Sequence, residues 1–296
     1  DLLLEDDETF EDDTEDAYKR AQKQRMKKYE AAKLKTLNTL DRERDEFLVA
    51  DEELKLVKHS PKYNTILNLI NEKNGLAFVY TEYKTLEGIA VLSIVLRANG
   101  YAPFLLETDP SGNVVQVFEN EDDVGKPMYA FWGGDPDLSD IIRKVYNNQL
   151  DEVPASLKAQ FDRRGVNNLR GNIIKVLLTT KTGAEGIDLQ NVRSLHIVEP
   201  YWNPVRVKQV KGRAVRVGSH LQLPQADRNV DIYTHLSTLT DEQKRSDKTI
   251  AEDFGGMTSD EVLFEISQKK LQIMETLLTV IKESSVDCSL NYNHTL

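Results

Sequence analysis

Apolar and polar positions recur along most of this chain in two periods, and the switches between them mark out its elements. From Ser60 the run SPKYNTILNLI keeps Tyr63, Ile66, Leu67 and Ile70 at a helical period behind a Ser-Pro start, which predicts a capped helix. Gly75 ends it, and Leu76–Tyr80 is apolar throughout, as a strand buried on both faces must be. A second helix is expected from Lys84 to Ala98, closed by Asn99-Gly100. The rhythm continues with strands near Phe104–Glu107 and Met128–Trp132, then a helix over Leu138–Tyr146. Strands at Ile173–Leu178 and Leu195–Val198, a helix from Pro204 and a strand at Val230–His235 follow. Strands alternating with helices predict an α/β fold with a parallel sheet covered on both faces.

Two stretches break that rhythm. Pro110–Asn113 followed by VVQVF reads as a hairpin turn and strand, so residues 110–127 are expected as an insertion on the sheet edge. Leu150–Gly171 is polar and of mixed charge, a loop or short helix without an evident task. Near the end, Thr258 and Glu261 form a capping-box pattern. The helix it opens carries Val262, Ile266, Leu271, Met274, Leu278 and Ile281, and is expected to pack back on the domain. The chain thus divides into an acidic disordered tail (1–16), a basic helical arm (17–50), a compact domain (51–240), and a C-terminal helical extension with a frayed tail (241–296).

Charge changes the picture in one respect. The formal net charge is −11, but residues 1–16 hold ten carboxylates and no Lys or Arg, whereas Lys19–Arg44 holds ten Lys or Arg. Overall acidity therefore does not exclude a nucleic-acid partner, because the position of the positive charge decides. The single cysteine, Cys288, excludes an internal disulfide and suits a reducing compartment. The five histidines are scattered, so no metal site is expected. Without an apolar run of about 18 residues or a charged-then-apolar start, the chain reads as intracellular, with no membrane partner.

Candidate chemistry gathers in Val176–His220, VLLTTKTGAEGIDLQNVRSLHIVEPYWNPVRVKQVKGRAVRVGSH. It reads as strand, glycine loop, strand, Trp-Asn-Pro turn and a helix bearing Arg206, Lys208, Lys211, Arg213 and Arg216 with no carboxylate before His220. Arg213 and Arg216, three apart, are expected on one helical face. The guanidinium fork suits phosphoryl oxygens. Alone, the pattern leaves two readings open: a phosphate site or a solvated basic helix.

TTKTGAEGIDL, EPYWNP and QVKGRAVRVGSH, in this order and spacing, resemble consecutive motifs of superfamily 2 helicases and translocases. The WNP turn is most like the Swi/Snf-type branch. With SPKYNTILNLI, LAFVYTEY and FWGGD, the combination is similar to helicase-type nucleoside triphosphatases of large cytoplasmic DNA viruses. The resemblance covers about Ser60–Thr234 and implies a RecA-like domain that couples ATP to nucleic acid. It implies Arg213 and Arg216 as catalytic finger arginines, and Gln209, Gly186 and Asp188 as ATP-binding or coupling residues. Thr180, Trp202, Asn203 and Gly134 would face the nucleic-acid backbone. The blander readings make Asp188 a turn cap and Trp202 a core anchor.

The sequence departs from the full pattern in one way: it has no G-x-x-x-x-G-K-[ST] phosphate loop. It therefore looks like the second of two RecA-like domains, with most ligands for ATP and Mg2+ coming from a first domain absent here, so that alone it should not hydrolyse ATP. The WNP turn leans toward duplex DNA. The viral resemblance adds transcription machinery as a partner, and host cytoplasm or virion as a location. The alternative is a non-catalytic RecA-like platform that binds nucleic acid or transcription proteins.

Overall fold

The computed structural model describes residues 8–49, 55–86, 88–181, 186–246 and 256–286. Its strands are β1 (Leu76–Tyr80), β2 (Ala102–Pro103), β3 (Leu105–Thr108), β4 (Val114–Val117), β5 (Met128–Trp132), β6 (Val176–Thr179), β7 (Val192–Ile197) and β8 (Asp231–Thr234). Six of them form one sheet in the order β2-β5-β6-β1-β7-β8, with every pairing parallel. β3 and β4 form a separate antiparallel hairpin.

The helices in chain order are α1 (Glu8–Arg42), α2 (Lys55–His59), α3 (Pro61–Glu72), α4 (Ile89–Ala98), α5 (Pro136–Tyr146), α6 (Ala155–Arg164), α7 (Pro204–Ala214), α8 (Asp241–Ser246) and α9 (Ser259–Glu283). They cover the sheet, whose central strands β6, β1 and β7 are buried at every position. Leu76, Phe78 and Tyr80 of β1 join Leu177, Leu195 and Ile197 in a core shared with α5, α6 and α7. Ala77 and Val79, pointing the other way, join Val176 and Leu178 against α3 and α4. This is the RecA-like parallel α/β architecture expected from the sequence.

Local signals placed the best-defined elements. Ser60 Oγ accepts from Tyr63 N at 3.2 Å and Pro61 fills the first turn, so α3 starts where its pattern does. α4 starts at Ile89 rather than Lys84. A Cβ on Gly88 would lie 1.9 Å from the Tyr83 carbonyl oxygen, and that close approach folds the preceding residues into a turn. The strand expected near Phe104–Glu107 is also corrected. β2 is a two-residue edge strand containing Pro103, which has no ladder donor, and Leu105 already belongs to the hairpin. The insertion therefore begins before residue 110 and seats on α6, where Ser156 Oγ donates to Val114 O at 2.7 Å.

The unassigned stretch 150–171 contains α6, which buries Leu157 and Phe161, and the fully buried Asn168. Asn168 Nδ2 donates to the carbonyls of Tyr146 (3.0 Å) and Ile174 (3.1 Å). Its Oδ1 accepts from Ile173 N (2.9 Å) and Ile174 N (2.8 Å).

Both arms differ from expectation. α1 is helical from Glu8, inside the segment expected as a disordered tail, and its far end packs Leu37 and Leu40 on the α4 side of the core. The remainder of that tail, residues 1–7, lies outside the described residues, as do residues 287–296 and the 182–185 part of the glycine loop. α9 has both capping-box bonds, Glu261 N to Thr258 Oγ1 (3.2 Å) and Thr258 N to Glu261 Oε2 (2.7 Å). Only its first turns pack on the domain, however; Ile273, Leu277, Leu278, Val280 and Ile281 are exposed. No described helix is long and apolar enough to cross a membrane.

Candidate functional site

The Trp-Asn-Pro turn leaves the carboxyl end of β7 and enters α7. Asn203 caps that helix, its side-chain oxygen accepting from Val205 N at 3.0 Å, and Pro204 stands where no donor is needed. Val210 and Ala214 are buried, which turns Lys208 and Gln209 to solvent. After α7 the chain lies beside the start of β7. Asn191 N donates to Ser219 O at 2.9 Å, and His220 Nε2 donates to Val192 O at 2.7 Å. The two ends of α7 therefore sit at opposite ends of the sheet, about 15 Å apart at 1.5 Å per residue.

At the carboxyl ends of the strands, where open parallel sheets bind ligands, four exits converge: Glu82 after β1, Gly134 after β5, Thr180 after β6 and Trp202 after β7. Trp202 is 46% exposed, whereas Thr180 is buried at 8%. Gly134 has φ +96° with open space where a Cβ would stand, so the turn needs glycine for its backbone and not for lack of room. Lys270 of α9 lays its ammonium 4.0 Å from the Trp202 ring centroid. Beneath the turn, Arg206 pairs with Glu82 (3.1 Å) and stacks over Tyr201 (4.3 Å).

Glu199 holds this end together. Its Oε1 accepts from Thr81 Oγ1 at 2.8 Å and from Glu82 N, tying the exit of β1 to that of β7. Burial pushes its carboxyl up to about 7, against the opposing pull of these two donors. A raised carboxyl favours the protonated native state. Its stabilising contribution is present below the unfolded value near 4.5 and is lost as pH rises through about 7. Glu199→Gln, which keeps an acceptor oxygen, is expected to leave stability unchanged near pH 4 and raise it by roughly 2–3 kcal/mol at pH 8. Urea unfolding at the two pH values measures this; equal differences would show that Glu199 titrates normally.

At the other end of α7, Arg216 Nη1 meets Asp188 Oδ1 at 2.8 Å. Both side chains are more than half exposed, so the pair contributes at most about 1 kcal/mol and gives way readily to a stronger anion. The loop under Asp188 is firmly placed. Asn147, the C-cap of α5, donates to Asp188 O (2.8 Å) and accepts from Gln190 N (2.9 Å). Gly186 enters that loop at φ +83°, a conformation open to glycine. Arg213, half-buried, has no ion-pair partner among the described residues.

The two arginines do not share a helical face. α7 stops at Ala214, Val215 is extended, and Ser219 Oγ donates to Arg216 O (2.8 Å) while accepting from Arg216 N (3.3 Å). A hydroxyl that offers the backbone these bonds competes with helix continuation, and Gly218 at φ +81° completes the turn.

Of the residues singled out in the sequence, the fold brings Asp188 and Arg216 into contact and puts Arg213 on the adjoining helix end. It gathers Gly134, Thr180, Trp202 and Asn203 at the far end, with the Asn203 side chain occupied in capping. Gln209 lies exposed between the two groups. Sequence reading missed Glu82, Glu199, Asn147 and Lys270. The consecutive Asn147-Asn148 after a helix was a readable C-cap signal; for the others, no local pattern announces a partner so far along the chain.

Residues 131–218 match the family described as helicase conserved C-terminal domain. The chain is 30% identical over 237 residues to a putative ATP-dependent RNA helicase of Acanthamoeba polyphaga mimivirus, covering 80% of this chain and 24% of that protein. It is 27% identical over 243 residues to a termination factor NPH-I homolog of African swine fever virus, covering 78% and 33%. A putative helicase of Invertebrate iridescent virus 3 is 25% identical over 245 residues, covering 80% and 21%. A crystal structure of the C-terminal part of the Fun30 ATPase domain aligns with 71% of this chain and 53% of its own at 14% identity and a TM-score of 0.36. The chain thus spans between a fifth and a third of the length of these viral relatives. Residues 131–218 thus carry a helicase conserved C-terminal domain, and most of the chain is similar to putative helicases of mimivirus and iridescent virus and to the termination factor NPH-I homolog of African swine fever virus.

Proposed function

We propose that this chain is the second motor domain of an ATP-dependent nucleic-acid helicase or translocase of the Swi/Snf-like kind. The observation that carries the reading is the Arg216–Asp188 pair beside Arg213, at the opposite end of α7 from the Trp-Asn-Pro turn. Guanidinium groups held by a weak, solvent-exposed ion pair are ready to transfer to phosphoryl oxygens, where charge-assisted bonds are stronger. In this reading Arg213 and Arg216 reach ATP held by another RecA-like domain. That domain supplies the phosphate-loop lysine and the Mg2+ ligands, for which this sequence has no motif. Asp188 steers Arg216, and Gly186 lets the loop reach it. Gln209, on the exposed face of α7, stands between nucleotide and nucleic acid.

At the other end, Trp202 and the main chain around Thr180 and Gly134 meet the phosphodiester backbone, a contact that positions without reading sequence. The relatives' names include putative ATP-dependent RNA helicases and a termination factor NPH-I homolog; the WNP turn favours duplex DNA as substrate, and the viral resemblance favours transcription as setting. The test is ATP hydrolysis by the full-length protein with duplex DNA, single-stranded DNA or duplex RNA added. Duplex DNA is expected to stimulate turnover most. Hydrolysis indifferent to every nucleic acid would sink the motor reading and leave the binding-platform alternative.

A further inference from the structure

A groove of about 220 Å³ runs between α7 and α9 beside the Trp-Asn-Pro turn. Its walls include Tyr201, Lys211, Thr234, Ser267 and Gln268, and no carboxylate. Ser267 is buried and Phe264 lines the same groove, so this part of α9 is fixed against the domain. Three residues on from Ser267, Lys270 stretches over the Trp202 ring at 4.0 Å. Its neighbour Lys269 pairs with Glu265 (3.4 Å), but Lys270 has no ion pair among the described residues. A lysine laid along an aromatic face has already lost much of its rotamer freedom, so a phosphate arriving there orders little more. A cation for the backbone beside an exposed ring for a sugar or base is the combination found in grooves that track nucleic acid. Lys208, exposed on α7, extends the positive edge.

We propose that the C-terminal helix supplies a second phosphate contact, with Lys270 of α9 and Lys211 of α7 gripping a nucleic-acid strand beside Trp202. This rests on the reading that the turn faces nucleic acid, and it extends that track beyond the helicase domain onto a helix that domain does not include. The contact recognises the phosphodiester and not the base, so it is indifferent to sequence and sensitive to salt.

The experiment is fluorescence anisotropy of a labelled DNA duplex of about 20 base pairs with the full chain across 50–200 mM salt. Lys270→Ala and Lys211→Ala are each expected to weaken binding about five- to tenfold at the lowest salt and to reduce the slope of log K against log salt by about one. Lys270→Arg should restore both. If the parent chain binds with a steep salt slope and neither alanine variant changes affinity or slope, this proposal is overturned while the motor reading stands. If the parent chain shows no salt-dependent binding, both fall. A lowered melting temperature in Lys270→Ala with unchanged affinity assigns the lysine to packing α9 alone and likewise overturns the proposal. Lys270→Gln, which keeps the stem over the ring, provides the affinity measurement should the alanine variant unfold.

Discussion

Replacing Arg213 by alanine in the full-length protein is expected to lower ATP turnover about 10³-fold or more while nucleic-acid binding largely survives. Arg213 lies at the last turn of α7 without an ion-pair partner among the described residues, so its charge is available to a ligand. Phosphoryl transfer spreads charge over several oxygens, and a fork of donors stabilises that charge where a point charge does so poorly. Arg216→Ala should cost a similar factor, and lysine at either position should recover only a small part. Asp188→Asn should be far milder, because it loosens the placement of Arg216 without removing it. Steady-state turnover at saturating nucleic acid, with binding followed separately, distinguishes these variants. Parental turnover in both alanine variants would show that neither arginine reaches the triphosphate.

What the sequence revealed was mostly local. LAFVY is apolar at every position because β1 is buried on both faces, and Ser60-Pro61 marks the start of α3 with groups that bond within one turn. The candidate site was legible as an ordered set of motifs, which named Asp188 and Arg216 before any contact between them was visible. The break between Arg213 and Arg216 was not. A spacing of three reads as one helical face, whereas the outcome turned on Ser219 capturing the Arg216 backbone. Lys270 and Trp202 stand 68 positions apart, and nothing periodic links them. The charge-rich arm misled for a different reason: a run of carboxylates reads as a solvated tail, yet most of it enters α1.

Asn168→Ala is expected to destabilise the domain by about 4 kcal/mol, a large share of the margin of a domain this size. The side chain is fully buried and satisfies two main-chain carbonyls and two main-chain donors, all of which lose that partner on truncation. Each group left without a partner costs roughly 1–3 kcal/mol, offset in part by local relaxation. Leucine, although similar in volume, should be no better, because it restores packing and no bond. The damage should also reach the site: Tyr146, whose carbonyl is released, immediately precedes Asn147, which holds the loop of Asp188. Urea unfolding of the three proteins measures the cost. A loss under about 1 kcal/mol would mean that water or a rearranged chain replaces the four bonds.

The turn of Trp202 and the arginine at position 213 are joined by a single α-helix of eleven residues. Such a helix does not shorten, and its eight or so internal bonds open together or not at all. Movement imposed at one end therefore arrives at the other undiminished, as through a push-rod. The give must lie outside the rod, in the Asn203 cap before it and in the extended Val215 beyond Arg213, so Arg213 follows the turn while Arg216 moves on a separate joint.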